Sequence, residues 1–364
     1  MYSLTGSALP QTLGGLLGRT LRGHVWFIGA ILLFACAGQI VPRLLGLEEY
    51  IRLSLYLANL PLILFTFLIA FVVGHMLYVM LAKRPARLIA HILRDYRERF
   101  LDPQRLANGT LLILILPVFF SVFTSFKVMI PRINPFSWDP TFEAWDRALH
   151  GGVAPWELLQ PVLGFPLATE VINFAYHLWL FVLYGLIFWQ GFSLADPRLR
   201  MQFLVTTVLT WSLLGSLGAT LFSSAGPCYY GLVTGEADPF LPLMDYLRQT
   251  AETHYVPALD VQALLWADYQ AGGVSQARGI SAMPSMHVSS AFLFLLLGWR
   301  VNRTLGWALT VFFGFILIGS VHLGWHYAID GYFAVPATWL LWHLTGRLLD
   351  LDPLFRRTPA ARAA

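Results

Sequence analysis

The stretch YLANLPLILFTFLIAFVVGHMLYVMLA, Tyr56 to Ala82, decides the fold. It holds no Asp, Glu, Lys or Arg, and it is longer than the ~20 apolar residues that cross a bilayer core. Several other runs in the chain approach that length. The chain is 57% hydrophobic and only 12% charged, with a mean hydropathy of +0.62. Soluble domains carry about 25% charged residues. There are too few polar groups here to cover a globular surface, so the bilayer is the natural solvent. The 13 tryptophans and 14 tyrosines suit interfacial belts.

Working outward, the pattern predicts eight helical spans, at about 24–42, 56–82, 109–130, 168–191, 201–223, 284–300, 304–321 and 329–347. The expected fold is all-α and polytopic. It divides into a two-helix N-terminal extension (1–107) with a basic amphipathic segment, a six-helix core (108–350), and a tail (351–364). With the N-terminus placed in the cytoplasm, seventeen of the 24 Lys and Arg fall on the cytoplasmic side and seven outside. Two long segments, 131–167 and 224–283, then lie outside. Long loops of this kind are often lids or binding elements. The first span takes over targeting, since no removable signal peptide is visible.

The net charge of +4 is modest, and Lys83 and Lys127 are the only lysines. A nucleic-acid partner would call for a clustered basic face, so none is expected. Cys36 and Cys228 have no metal-type spacing, and Cys36 lies in an apolar run, which argues against a structural disulfide. The preference for arginine over lysine suggests a GC-rich bacterial genome and hence an inner membrane.

Two stretches carry chemistry. ISAMPSMHVSSAFLFLLL, from Ile280, opens a span with Pro284, Ser285, Met286 and His287. A proline fits the first turn of a helix; a histidine there asks for another reason. GSVHLGWHYAIDGYFA, from Gly319, turns from span seven into span eight. His326 and Asp330 are four apart and share a helical face. Two antiparallel crossings bring His287 to the same side of the membrane. A carboxylate beside a histidine orients the ring and raises the basicity of its other nitrogen, which makes His326 a nucleophile candidate. His287 can then protonate a departing oxygen. Phosphoryl transfer through a phosphohistidine fits this set. Anion stabilisation would fall to backbone N–H groups near Ser285, to Lys127 and Arg132, and to Arg278. A structural His–Asp pair remains open. So does a metal site using His322, His326, Asp330 and His287, although no acidic cluster supports it.

These residues resemble the type-2 phosphatidic acid phosphatase superfamily, and within it the inositol phosphorylceramide synthase-like branch. AMPSMHVSSAF is similar to the second family motif and HYAIDGYFA to the third. FSSAGPCYY, from Phe222, and FKVMIPRINPFSWD, from Phe126, resemble segments of that branch. The resemblance implies His326 as the phosphorus-attacking group, Asp330 as its orienting acid, His287 as general acid and Ser285 as a phosphate contact, with no metal or cofactor. Tyr229, in FSSAGPCYY, joins the candidate substrate contacts. The chain departs from the family where Gly319 and Ser320 replace the Ser–Arg that opens the third motif, and where Met286 replaces a glycine. The first motif is absent in its usual form. KRPAR at Lys83 is a decoy, because the topology sets it on the cytoplasmic side.

The expectation is a membrane enzyme that moves a phosphate or phospho-headgroup from a lipid phosphate or phosphodiester at the outer leaflet. The missing arginine favours transfer to a lipid alcohol such as a ceramide or diacylglycerol. Hydrolysis of a phosphatidic acid or polyprenyl phosphate is the alternative within the class. A proton-coupled transporter or lipid-binding protein is the alternative outside it. Against that last reading, no internal repeat is visible and the ionisable groups sit at span ends rather than mid-membrane.

Overall fold

The computed structural model describes residues 12–272 and 279–356, and among these the chain is helical with no strand. A short amphipathic helix, α1 (Leu13–Gly23), leads into the spans α2 (Val25–Leu44) and α3 (Leu55–Tyr78). The basic segment supplies only the short α4 (Leu88–Asp95), followed by one π-helical turn. The long α5 (Pro103–Ile133) then crosses the bundle. The first long connection folds into α6 (Asp139–Leu149) and α7 (Pro155–Leu163). It is followed by α8 (Pro166–Phe192) and α9 (Pro197–Leu209). α9 runs on through a π-helical stretch, Thr210–Gly218, into α10 (Ala219–Leu221). The second long connection holds α11 (Tyr230–Thr234), α12 (Leu241–Ala251) and α13 (Pro257–Gln270). The chain closes with α14 (Met286–Val301), α15 (Arg303–His322) and α16 (Ala328–Leu351).

All eight expected spans are helices. Six helical segments among the described residues are long and apolar enough to cross a bilayer, α14 is a shorter apolar helix, and α16 is not among the six. This is an integral membrane protein. Span starts follow local chemistry. Asp102 before Pro103 and Asp196 before Pro197 each accept an N–H of the helix they open. Asn302 does the same for α15. These caps satisfy donors that have no partner within the helix.

One boundary corrects the sequence expectation. Pro284 is not in the first turn of α14: Ser285 is the N-cap, its hydroxyl accepting the Val288 N–H at 3.3 Å, and the helix begins at Met286. The preference of Ser for the cap outweighs that of Pro for the first turn.

The core lies between α9, α14 and α16, where Phe203, Phe294 and Trp342 are fully buried. α14 and α15 are joined through Asn302 alone and pack at Gly298 and Gly306. A Cβ on Gly298 would lie 3.0 Å from the Leu305 carbonyl oxygen. α3 stands at the edge of the bundle and buries no residue. Both long connections sit at one end of the bundle, over the N-termini of α14 and α16.

Candidate active site

The α15–α16 turn builds the centre. His326 N–H and Trp325 N–H both donate to the Ser320 carbonyl, and Gly324 takes the left-handed conformation (φ +72°) that closes the turn. This places His326 one turn before Asp330, and His326 Nδ1 donates to Asp330 Oδ2 at 3.1 Å. The same carboxylate oxygen accepts the Tyr327 N–H at 3.1 Å. Asp330 is fully buried and His326 is 6% exposed. The pair occupies the N-terminus of α16, where orphan N–H groups favour negative charge.

His287 faces it from the first turn of α14. The two imidazole centroids are 6.0 Å apart with rings crossed at 62°. The two rings are thus near neighbours on the wall of one cavity. The His287 ring is fixed by aromatic neighbours on α8. It stacks on Tyr176 at 4.5 Å and lies 4.1 Å from Trp179, whose indole N–H donates to Ser290 Oγ at 2.7 Å. Both histidines open onto a cavity of about 620 Å³, and Lys127 of α5 is the one Lys or Arg among its described lining residues. Burial, and next the Lys127 charge, push His326 down to about 3, against an opposing hydrogen bond to the Ala282 backbone. That direction favours the neutral imidazole, with Asp330 holding the proton on Nδ1.

The remaining candidates divide. Tyr229 lines the cavity with its ring, but its hydroxyl donates away to the Gln262 carbonyl at 2.8 Å. Ser285 is fully buried and its hydroxyl oxygen is engaged as the α14 cap. Arg132 does not line the cavity. Its guanidinium donates to the Val128 and Gly272 carbonyls and lies over the Tyr50 ring at 4.4 Å. Arg278 lies outside the described residues. His322, although in register with His326, turns to α8, where its Nε2 meets Thr169 Oγ1 at 2.9 Å. Among the described residues, no group of three or more His, Cys, Asp or Glu is placed to hold a metal.

Sequence reasoning missed two acids on α6. Asp146 accepts the Ala328 and Ile329 N–H groups at 2.7 and 2.9 Å, capping α16 from a different helix. Asp139 accepts the Ala225 and Gly226 N–H groups and the Tyr327 hydroxyl. Asp146 holds the backbone just after His326, and Asp139 ties the Ala225–Gly226 backbone to the Tyr327 side chain. Burial raises both carboxyls, Asp146 to about 6, while the N–H groups they accept oppose the shift. The available signal was spacing. Asp139, Phe142 and Asp146 fall at i, i+3 and i+7, and all three are buried on one face of α6.

The sequence pattern of the PAP2 superfamily matches residues 141–344, more than half of the chain. No curated protein and no solved structure gives a significant match. The fold is that of a helical membrane protein, and the chain belongs to the PAP2 superfamily of phosphatase-type enzymes. The match starts inside α6, so α2, α3 and α5, with Lys127, precede it.

Proposed function

We propose that the protein is a membrane lipid phosphotransferase or phosphatase that works through a phosphohistidine on His326, with the active site on the non-cytoplasmic side. The observation that carries this reading is the Asp330–His326 bond beside His287, with 6.0 Å between the two imidazole centroids. Asp330 holds the Nδ1 proton, which leaves Nε2 to attack phosphorus. As the N–P bond forms, the ester P–O bond breaks and His287 gives its proton to the leaving alkoxide. In the second half an acceptor hydroxyl returns that proton to His287, attacks phosphorus and frees His326. Lys127 supplies a countercharge for the phosphate oxygens.

The acceptor is proposed to be a lipid alcohol. The cavity around the histidines is lined chiefly by rings and aliphatic side chains, an environment poor in water and suited to a bilayer alcohol. Position 320, where the family usually has arginine, is a serine whose hydroxyl donates to the Leu317 carbonyl. The decisive experiment incubates proteoliposomes with a ³²P-labelled lipid phosphodiester and diacylglycerol or ceramide, with EDTA present. Label should move to the lipid alcohol, and the His326→Ala protein should move none. Release of label as the water-soluble phosphorylated headgroup instead makes the enzyme a phosphohydrolase using the same residues. Activity lost in EDTA and restored by zinc, or retained by His326→Ala, overturns the reading.

A further inference from the structure

The cavity does not end at the histidines. From Lys127 it descends between α5, α8 and α3, past Phe123, Leu183 and Asn59. Beyond Tyr56, Phe120 and Tyr184 a narrow, wholly apolar cleft continues to Ile63, Ile113 and Phe188. These three residues line both spaces, which adjoin there, and the lower one is narrow, at about 20 Å³. Along α5 the path runs from position 127 to position 113, about 21 Å at 1.5 Å per residue. That is more than half of the ~30 Å hydrocarbon core.

α3 forms the wall of this path by bridging, not by packing. At its upper end the Arg52 and Tyr56 N–H groups donate to Ser125 and Ser121 of α5, at 2.9 and 3.2 Å. Lower down, Phe67 sets its ring edgewise against Phe188, at 5.1 Å between centroids. Between these two points α3 buries no residue, and the cleft passes there. The polar groups gather at the histidine end, and the far end has none. A polar ligand reaching down it would lose its hydrogen bonds to water without replacement.

We propose that this groove holds one hydrocarbon chain of the phosphorylated lipid substrate, with α3, a helix outside the matched family region, as its wall. The proposal rests on the reading of His326 given above, which fixes where the phosphorus sits. The lipid's charged head then meets Lys127 and the histidines while its chain lies along Phe120, Leu183 and Ile63.

The test uses phosphatidic acid carrying a diazirine midway along an acyl chain, with the full-length His326→Ala protein in nanodiscs to prevent turnover. After irradiation, adducts should map to residues 56–63, 113–120 and 183–188. Excess unlabelled phosphatidic acid should compete them away. Adducts spread over the outer faces of the bundle, or adducts that excess phosphatidic acid does not reduce, overturn the proposal. In the active protein, Ile63→Trp should lower kcat/KM for a long-chain substrate relative to a dioctanoyl one by about tenfold, ~1.4 kcal/mol. An unchanged ratio also overturns it. If labelling stays in the groove but no phosphate ester turns over, the groove stands and the role of His326 falls. Turnover with labelling elsewhere gives the opposite result.

Discussion

At the scale of single residues, the proposed mechanism divides the work of the site between holding a proton and moving one. Asp330 Oδ2 takes both the His326 Nδ1–H and the Tyr327 N–H, so the carboxylate fixes the tautomer and the turn together. An amide in its place offers one acceptor oxygen and adds donors facing a donor. Asp330→Asn should lower kcat by about a thousandfold with little change in KM, by analogy with triad acids. Steady-state kinetics on a lipid phosphate check this; a fall confined to KM would assign Asp330 to binding. His287 has the complementary duty. His287→Ala should cost about a hundredfold or more on an alkyl ester, and much less on a nitrophenyl ester, whose leaving group needs no proton. Equal losses on both remove its role as an acid.

At the scale of elements, α6 works as a strut. Its two acids reach 182 to 188 residues along the chain to hold the Tyr327 hydroxyl and the Ala328 and Ile329 N–H groups that follow His326. Asp139→Ala leaves the Ala225 and Gly226 N–H groups buried without a partner, at about 1–3 kcal/mol each. Tyr327→Phe removes one bond and should cost about 1 kcal/mol. Asp146 adds a pH signature. Its folded value of about 6 lies above the ordinary 3.8, so the protonated form binds more tightly to the fold than to the unfolded chain. Its stabilising contribution is full below about pH 3.8 and is lost as pH rises through about 6, by up to about 3 kcal/mol. Thermal melts in detergent across pH 4–6 should therefore lose a falling component in Asp146→Asn, and an identical slope in both proteins refutes the assignment. The contrast with His326 and Asp330 explains what the sequence could reveal. Their partnership is local, i to i+4 from the turn before α16 into its first turn, and hydropathy alone returns His287 to the same end. The α6 acids act across the fold, and their partners are backbone groups with no signature in sequence. Arg132 failed for a related reason: hydropathy assigns an end of the bundle, but packing over Tyr50 decides where a guanidinium points.

For the whole molecule the open choice is orientation, and two asymmetries argue for the same answer. The end that carries the histidines holds few cations, and the fold ties several of them down locally. Arg147 pairs with Glu143 and Glu157, Arg248 with Asp245, and Arg132 donates to backbone carbonyls. The opposite end holds the basic run around α4 together with Arg198 and Arg200, and cations near span ends are retained on the cytoplasmic side. A site on the far side also gives its groove to the non-cytoplasmic leaflet, because the path begins at Lys127 and descends from there. Single cysteines in a background lacking Cys36 and Cys228 can report the choice. Position 252 follows α12 at the histidine end and position 98 follows α4 at the other, and both are exposed. In intact cells a membrane-impermeant maleimide should label Glu252→Cys, while Glu98→Cys should label only after permeabilisation. The reverse pattern would place the histidines in the cytoplasm and turn the groove toward the cytoplasmic leaflet, leaving the chemistry of His326 intact but changing which lipids can reach it.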